Sequence, residues 1–180
     1  MGIQKAFYYN QNYCVGCTAC QMACNVAKTL DLGVTWREVE EYEIKRNGKL
    51  VATNLSHACN HCKSPACLKS CPVGAYTKRE KDGLVVQDHS KCIGCGNCVK
   101  ACPYKAAKMN AKTKKAEKCD GCFDLLDHGE EAACVRGCPV QVLKMGNLDE
   151  LEAKGSVREV FGFTVFKTNP STRFVPLKKG

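Results

Sequence analysis

The sequence predicts an α+β protein built from two small modules, one inserted in the other and joined by irregular connectors. Three observations support this prediction. Sixteen cysteines in 180 residues fall into four groups of four, three of the groups end in Cys-Pro, and hairpin signals occur between the groups. The predicted outer module takes residues 1–55 and 111–150, the inserted module takes 56–110, and 151–180 form an extended C-terminal tail.

The cysteine groups repeat one spacing theme. They are Cys14, Cys17, Cys20 and Cys24; Cys59, Cys62, Cys67 and Cys71; Cys92, Cys95, Cys98 and Cys102; and Cys119, Cys122, Cys134 and Cys138. The first and third groups have the spacing C-x2-C-x2-C-x3-C, whereas the middle gap widens to four residues in the second group and eleven in the fourth. A loop with three closely spaced cysteines can wrap a cubane cluster, and a proline after the fourth ends the short helix that follows. The pattern therefore predicts four [4Fe–4S] clusters.

Other uses of these cysteines fit the spacing less well. Zinc is the main alternative because CxxC pairs also bind zinc, but such sites combine two separated pairs rather than three cysteines within seven residues. Disulfides within such dense runs would be strained. His57 and His61 flank two of the cysteines, yet sixteen cysteines already fill sixteen ligand positions, so we expect the histidines to hydrogen-bond near a cluster.

Residues 56–110 resemble a bacterial ferredoxin with two [4Fe–4S] clusters. A predicted hairpin with its turn at Lys81-Asp82-Gly83 leads from the second cysteine group to the third. In such ferredoxins the fourth cysteine of each group ligates the other cluster. The resemblance implies that the second and third groups exchange their last cysteines, which leaves the first and fourth groups to do the same. The predicted ligand sets are Cys14, Cys17, Cys20 with Cys138; Cys119, Cys122, Cys134 with Cys24; Cys59, Cys62, Cys67 with Cys102; and Cys92, Cys95, Cys98 with Cys71.

Other segments give local predictions. We expect a strand over 6–12, a helix over 18–29, a hairpin over 35–54 that turns at Asn47-Gly48, and a short helix over 149–154. The basic segment 105–118 is interpreted either as a partner-facing surface or as a solvated loop. The end of the tail, 164–180, is expected to lie extended with few core residues.

Charge and hydropathy limit the class of protein. The formal net charge of +9 counts cysteines as neutral, and four clusters with a charge of 2− each would bring it near +1, so a nucleic-acid partner is not expected. We find no signal-peptide core and no stretch of transmembrane length, which predicts a cytoplasmic protein or one peripheral to a membrane complex and leaves the compartment open. No catalytic constellation is evident, so we expect an electron carrier that is not itself an enzyme.

The order of the groups, the long gap in the fourth, and the sequences Cys59-Asn60-His61-Cys62 and Lys118-Cys119-Asp120-Gly121-Cys122 resemble one family. This is the four-cluster iron–sulfur subunit of the dimethyl sulfoxide reductase family of molybdenum and tungsten oxidoreductases. The resemblance implies a large molybdopterin or tungstopterin catalytic subunit as partner, with the first and fourth groups facing it. It also implies exchange of electrons with a membrane quinone-reactive subunit or a soluble redox protein. A polyferredoxin serving a hydrogenase or another redox enzyme, and a zinc-rich nucleic-acid-binding protein, are the alternative interpretations.

Overall fold

The computed structural model describes residues 2–178, which form a mixed α+β fold of short elements. The strands are β1 (Lys5–Tyr9), β2 (Glu38–Arg46), β3 (Lys49–His57), β4 (Tyr76–Lys78), β5 (Val85–Gln87), β6 (Lys108–Met109), β7 (Ala116–Glu117), β8 (Leu143–Asn147) and β9 (Arg173–Phe174). The helices are α1 (Ala19–Ala27), α2 (Ala66–Ser70), α3 (Asn97–Ala101), α4 (Phe123–Asp127), α5 (Ala133–Arg136) and α6 (Leu148–Ala153), with a 3-10 turn at Gln11–Tyr13.

The hairpin of β2 and β3 confirms the prediction made from its turn signal. The strands pair antiparallel, from Glu38 opposite His57 to Arg46 opposite Lys49. Asn47 and Gly48 both have positive φ, of 50° and 74°, as a tight two-residue hairpin turn requires. The predicted first helix and C-terminal helix are confirmed as α1 and α6, and the predicted first strand as β1, which ends at Tyr9 because residues 11–13 form a 3-10 turn instead of continuing the strand.

One sheet joins distant parts of the molecule, with strand order β8-β1-β9. Strand β1 pairs antiparallel with β8 and parallel with β9. Of the described residues in 164–180, Phe174 in β9 belongs to the main core and is 1% exposed, so the tail contributes few core residues, as expected, but is anchored by one large ring. Backbone pairing beside β1 places this aromatic ring in the interior, which composition could not predict.

A buried arginine fixes the tail. The Arg173 guanidinium donates to the carbonyl oxygens of Pro170, Ser171 and Thr172 at 3.0, 3.3 and 3.0 Å. It also forms an ion pair with Glu152 at the end of α6. The side chain of Arg173 is 4% exposed and that of Glu152 is 47% exposed, so the ion pair links the buried tail to a carboxylate at the protein surface.

The basic segment 105–118 is solvated in part, since residues 111–114 are exposed, but it also contains two short strands. Strands β6 and β7 form a hairpin whose turn is held by the Asn110 side-chain oxygen, which accepts the backbone N–H groups of Lys112 and Thr113 at 2.8 and 3.1 Å. Ala107 and Ala116 of this segment are 2% and 1% exposed. Small apolar side chains among the lysines, which a count of charges overlooks, anchor the strands of the hairpin while its turn stays exposed.

Cysteines make up much of the interior. The main core combines Phe7, Tyr9, Trp36 and Phe163 with cysteines of the first, second and fourth groups. A second core combines Tyr76 and Val85 with cysteines of the second and third groups. In residues 2–178 we find no helix with both the length and the apolar character needed to cross a membrane.

Candidate iron–sulfur sites

All sixteen cysteines lie within the described residues, and none of them forms a disulfide. Cys17 and Cys95 are exposed, and the others are buried or half-buried. Within residues 2–178, no three His, Cys, Asp or Glu side chains form a group that could hold a single metal ion.

Two cavities bring together cysteines of the second and third groups. One cavity is lined by Cys59, Cys62, Cys67 and Cys102, among other residues. A second cavity is lined by Cys71, Cys92, Cys95 and Cys98, among others. Helices α2 and α3, which carry Cys67 and Cys98, pack against each other. The cavities therefore collect the same two sets that the exchange of last cysteines predicts, although the ligation itself stays a prediction.

The first and fourth groups meet where α1 packs on α5. Burial raises the pKa of the Cys24 thiol to about 12, and the nearby thiolates of Cys134 and Cys122 contribute to the rise. Burial also raises the pKa of Cys20, which has Cys134 and Cys138 among its charged neighbours. Residues more than 100 positions apart in sequence thus share one site, as expected if both halves of the sequence build the outer module.

Burial dominates the acid–base properties of these thiols. It raises the pKa of Cys62 and Cys122 to about 11 and that of Cys67 to about 12. Iron binds the thiolate, so metal binding at such thiols releases protons. The negative charge of each buried thiolate is then balanced by the iron that it binds. The interior is therefore suited to a group that brings positive charge to the sulfurs.

Hydrogen-bond donors are aimed at several of the sulfurs. The Ala75 N–H donates to Cys71 Sγ at 3.3 Å, and the Gly121 N–H donates to Cys119 Sγ at 3.4 Å. The Ser56 hydroxyl lies 3.3 Å from Cys20 Sγ. Donors to sulfur stabilise negative charge on a cluster and so influence its reduction potential.

Further buried donors have no hydrogen-bond partner within the described residues. They include the Tyr76 hydroxyl, the Thr168 hydroxyl and the Asn60 amide nitrogen. Tyr76 lies against Cys98, and both Asn60 and Thr168 line the cavity that contains Cys62. A buried donor without an acceptor is costly, and the sulfides and thiolates of a cubane cluster would supply acceptors at these places. The residues present therefore fit [4Fe–4S] groups.

The two histidines that flank the second cysteine group differ in environment. His61 is 2% exposed, and its Nδ1 accepts the Val85 N–H at 3.0 Å, so the proton of the neutral ring is on Nε2, which lies 4.0 Å from Cys119 Sγ. Burial, followed by the charges of Lys118 and Lys78, keeps the pKa of His61 well below its usual value. The expectation of a hydrogen bond near a cluster thus suits His61. It is wrong for His57, which instead bonds the Glu40 carboxylate at 3.1 Å across β2 and β3.

Two buried cations beside the cysteines were not recognised from the sequence. Arg37 is 1% exposed, its Nη1 donates to the Ser56 hydroxyl at 3.1 Å, and its guanidinium lies 4.4 Å from the Phe7 ring centroid. Burial alone would lower the pKa of Arg37, but the thiolates of Cys134 and Cys119 raise it. No local signal marks this arginine, since it is one charged residue directly before the polar strand β2.

Lys118 is the second buried cation and is 3% exposed. It directly precedes Cys119, and this position in the sequence Lys-Cys-Asp-Gly-Cys was the available signal. Its burial was not predicted because Lys118 was treated as part of the basic segment 105–118.

Comparisons with known proteins agree with this chemistry. A family model described as "4Fe-4S dicluster domain" matches residues 50–148, and one described as "4Fe-4S binding domain" matches residues 11–27. The protein is 42% identical over 162 residues to an anaerobic dimethyl sulfoxide reductase chain of Escherichia coli, with 86% of its own length and 78% of the relative's covered. It is 41% identical over 127 residues to a tetrathionate reductase subunit of Salmonella typhimurium, with 69% and 50% covered. It is 36% identical over 156 residues to a thiosulfate reductase electron transfer subunit of Salmonella typhi, with 83% and 79% covered.

Proposed function

The protein is a member of the iron–sulfur electron-transfer subunits of the dimethyl sulfoxide reductase family, and on that basis we propose that it relays single electrons through four [4Fe–4S] clusters. The electrons pass to or from a molybdopterin or tungstopterin catalytic subunit. The protein itself is a non-catalytic subunit of an oxidoreductase complex.

The observation that carries the proposal is the convergence of the cysteines. Two cavities each collect four of them, and the helices α1 and α5 bring the remaining groups together. We assign the four ligand sets as the exchange of last cysteines predicts. With sixteen cysteines assigned, no iron is left open to a substrate, which supports electron transfer alone.

The protein's own residues prepare the sites for that transfer. A bound [4Fe–4S] group takes up and returns one electron. Backbone N–H groups at Ala75 and Gly121 donate to cysteine sulfurs, and the buried cations Arg37 and Lys118 offset negative charge. Because these groups are held rigidly in the interior, little reorganisation is needed when an electron arrives.

The modular architecture is part of the proposal. The inserted module would take residues 56–110, and the outer module 1–55 with 111–150. The pairing of β1 with β8 supports an outer module made from both halves of the sequence, and the cavity shared by the second and third groups supports a compact inserted one. The tail would take 151–180, and its strand β9 pairs with β1 of the outer module, which supports packing of the tail there.

The relatives favour a reductase subunit over a polyferredoxin. Their names describe chains or subunits of reductases, which implies a catalytic partner for this protein. That this partner holds a pterin cofactor is our inference from the family. A membrane quinone-reactive subunit or a soluble redox protein would complete the relay at the other end.

Metal analysis of the native complex tests the proposal. Anaerobic purification from the host should give about 16 iron atoms per chain, together with molybdenum or tungsten in a large companion subunit. The tagged protein produced alone should retain the iron and lack the other metal, which serves as the matched control. Sixteen iron atoms without molybdenum or tungsten in the complex would favour the polyferredoxin, and zinc in place of iron would overturn the relay altogether.

A further inference from the structure

Lys118 lies at the boundary between two cluster sites. It is followed immediately by Cys119 of the fourth group, while its side chain lines the cavity that contains Cys59 and Cys67 of the second group. An electron that passes between the outer and inserted modules must cross this region if the ligand sets are as proposed. The charge of Lys118 is thus placed where it can influence the reduction potential of a cluster at this boundary.

The ammonium group of Lys118 is held in place by two backbone carbonyls. Its Nζ donates to the carbonyl oxygen of Cys119 at 2.9 Å and to that of Val85. A lysine has three N–H donors, so a third remains on the side chain that lines the cysteine cavity.

The charges that face Lys118 are mainly those of sulfur. Its hydrogen-bond acceptors are backbone carbonyls, and the cavity that its side chain lines also holds the sulfurs of Cys59, Cys62, Cys67 and Cys102. In a water-poor interior, unit charges interact far more strongly than at the surface. A fixed positive charge here therefore favours whichever redox state of the adjacent site is more negative.

We propose that Lys118 is a positioning residue that raises the reduction potential of the cluster held by Cys59, Cys62, Cys67 and Cys102. This inference rests on the relay function proposed above. Uptake of one electron from a neighbouring redox centre would make the site one unit more negative, and the ammonium of Lys118 would stabilise that added charge. The fixed ammonium stabilises the reduced form, so this cluster accepts an electron more readily than it would without the lysine.

The test is a redox titration of the purified complex, followed by electron paramagnetic resonance, for four single variants. Lys118→Met removes the charge and the donors, whereas Lys118→Gln removes the charge and keeps an N–H donor. Lys118→Arg keeps the charge. Lys63→Met is the matched control, since Lys63 directly follows Cys62 but is exposed, where solvent screens its charge.

We expect one of the four midpoint potentials to move to a more negative value in both neutral variants, with iron content unchanged. Lys118→Arg and Lys63→Met should keep the wild-type midpoints. Unmoved midpoints in a fully loaded Lys118→Met complex would overturn the inference, as would an equal shift in Lys63→Met. Loss of iron in both neutral variants would also overturn it and assign Lys118 a structural role. If the wild-type complex lacked four clusters, the relay function would fail first, so the two failures are distinguishable.

Discussion

Replacement of Gly137 with alanine tests whether the first and fourth cysteine groups depend on direct contact between α1 and α5. Gly137 lies between Cys134 and Cys138 at the end of α5, and its φ of −76° is one that alanine adopts freely. An added Cβ would nevertheless lie 2.5 Å from the Cβ of Ala23 in α1, a distance that real Cβ atoms essentially never show. The backbones must therefore move apart by about an ångström, and overpacking of this kind costs about 1–3 kcal/mol.

The expected result is faster loss of iron from the outer module alone. If iron leaves through local opening of the contact between α1 and α5, a cost of about 1–3 kcal/mol accelerates release by about 5- to 150-fold. About half of the bound iron, that of the two outer clusters, should be released in this faster phase. The assay is anaerobic transfer of iron to a chelator, followed over time, with electron paramagnetic resonance of the clusters that remain.

Gly146→Ala supplies the matched control for this measurement. Gly146 lies in β8 of the same module, and an added Cβ there would meet Leu151 at 3.4 Å, an ordinary contact distance. That variant should release iron at the wild-type rate. If Gly137→Ala also released iron no faster than Gly146→Ala, or released the iron of all clusters equally, the reasoning about the α1–α5 contact would be refuted.

The remaining predictions concern ligand exchange and the tail. Cys62→Ala combined with Cys102→Ala should remove one cluster, about four iron atoms, and leave the other resonance signals intact. Cys95→Ala combined with Cys102→Ala should alter two signals, because these two cysteines are assigned to different clusters. The reverse outcome would show that the last cysteines are not exchanged. Arg173→Met should expose the tail to limited proteolysis, and Glu152→Gln should do so more weakly because the carboxylate is partly exposed and the arginine keeps its carbonyl acceptors. The hydrogen bond from Arg173 lowers the pKa of Glu152. The stabilisation of the fold by this pair is therefore complete above the unfolded pKa of about 4.3 and is lost only as the pH falls through the lower, folded pKa. Protection of the wild-type tail from proteolysis should be the same at pH 8 and pH 5, and a loss of protection between these values would contradict this origin.

Local chemistry explains why much of this protein could be predicted from its sequence. The spacing of cysteines determines how a short loop can wrap a compact iron–sulfur cluster. A proline or an Asn-Gly pair restricts its own backbone conformation. The cysteine groups, the β2–β3 hairpin and helix α1 depend on such neighbouring residues. These features were predicted correctly because nothing distant is needed to form them.

The tertiary structure alone decided which charges and aromatic rings surround the cysteines. Arg37, Lys118 and Phe174 are ordinary members of polar or mixed segments in the sequence, yet all three are at most 3% exposed. Packing between elements far apart in the sequence encloses them, and the charge of a buried cation is stabilised by thiolates supplied from other segments. The sequence by itself determined the identity of the candidate ligands, whereas the fold determined their electrostatic surroundings, because Coulomb interactions depend on distance in space and on burial rather than on separation in sequence.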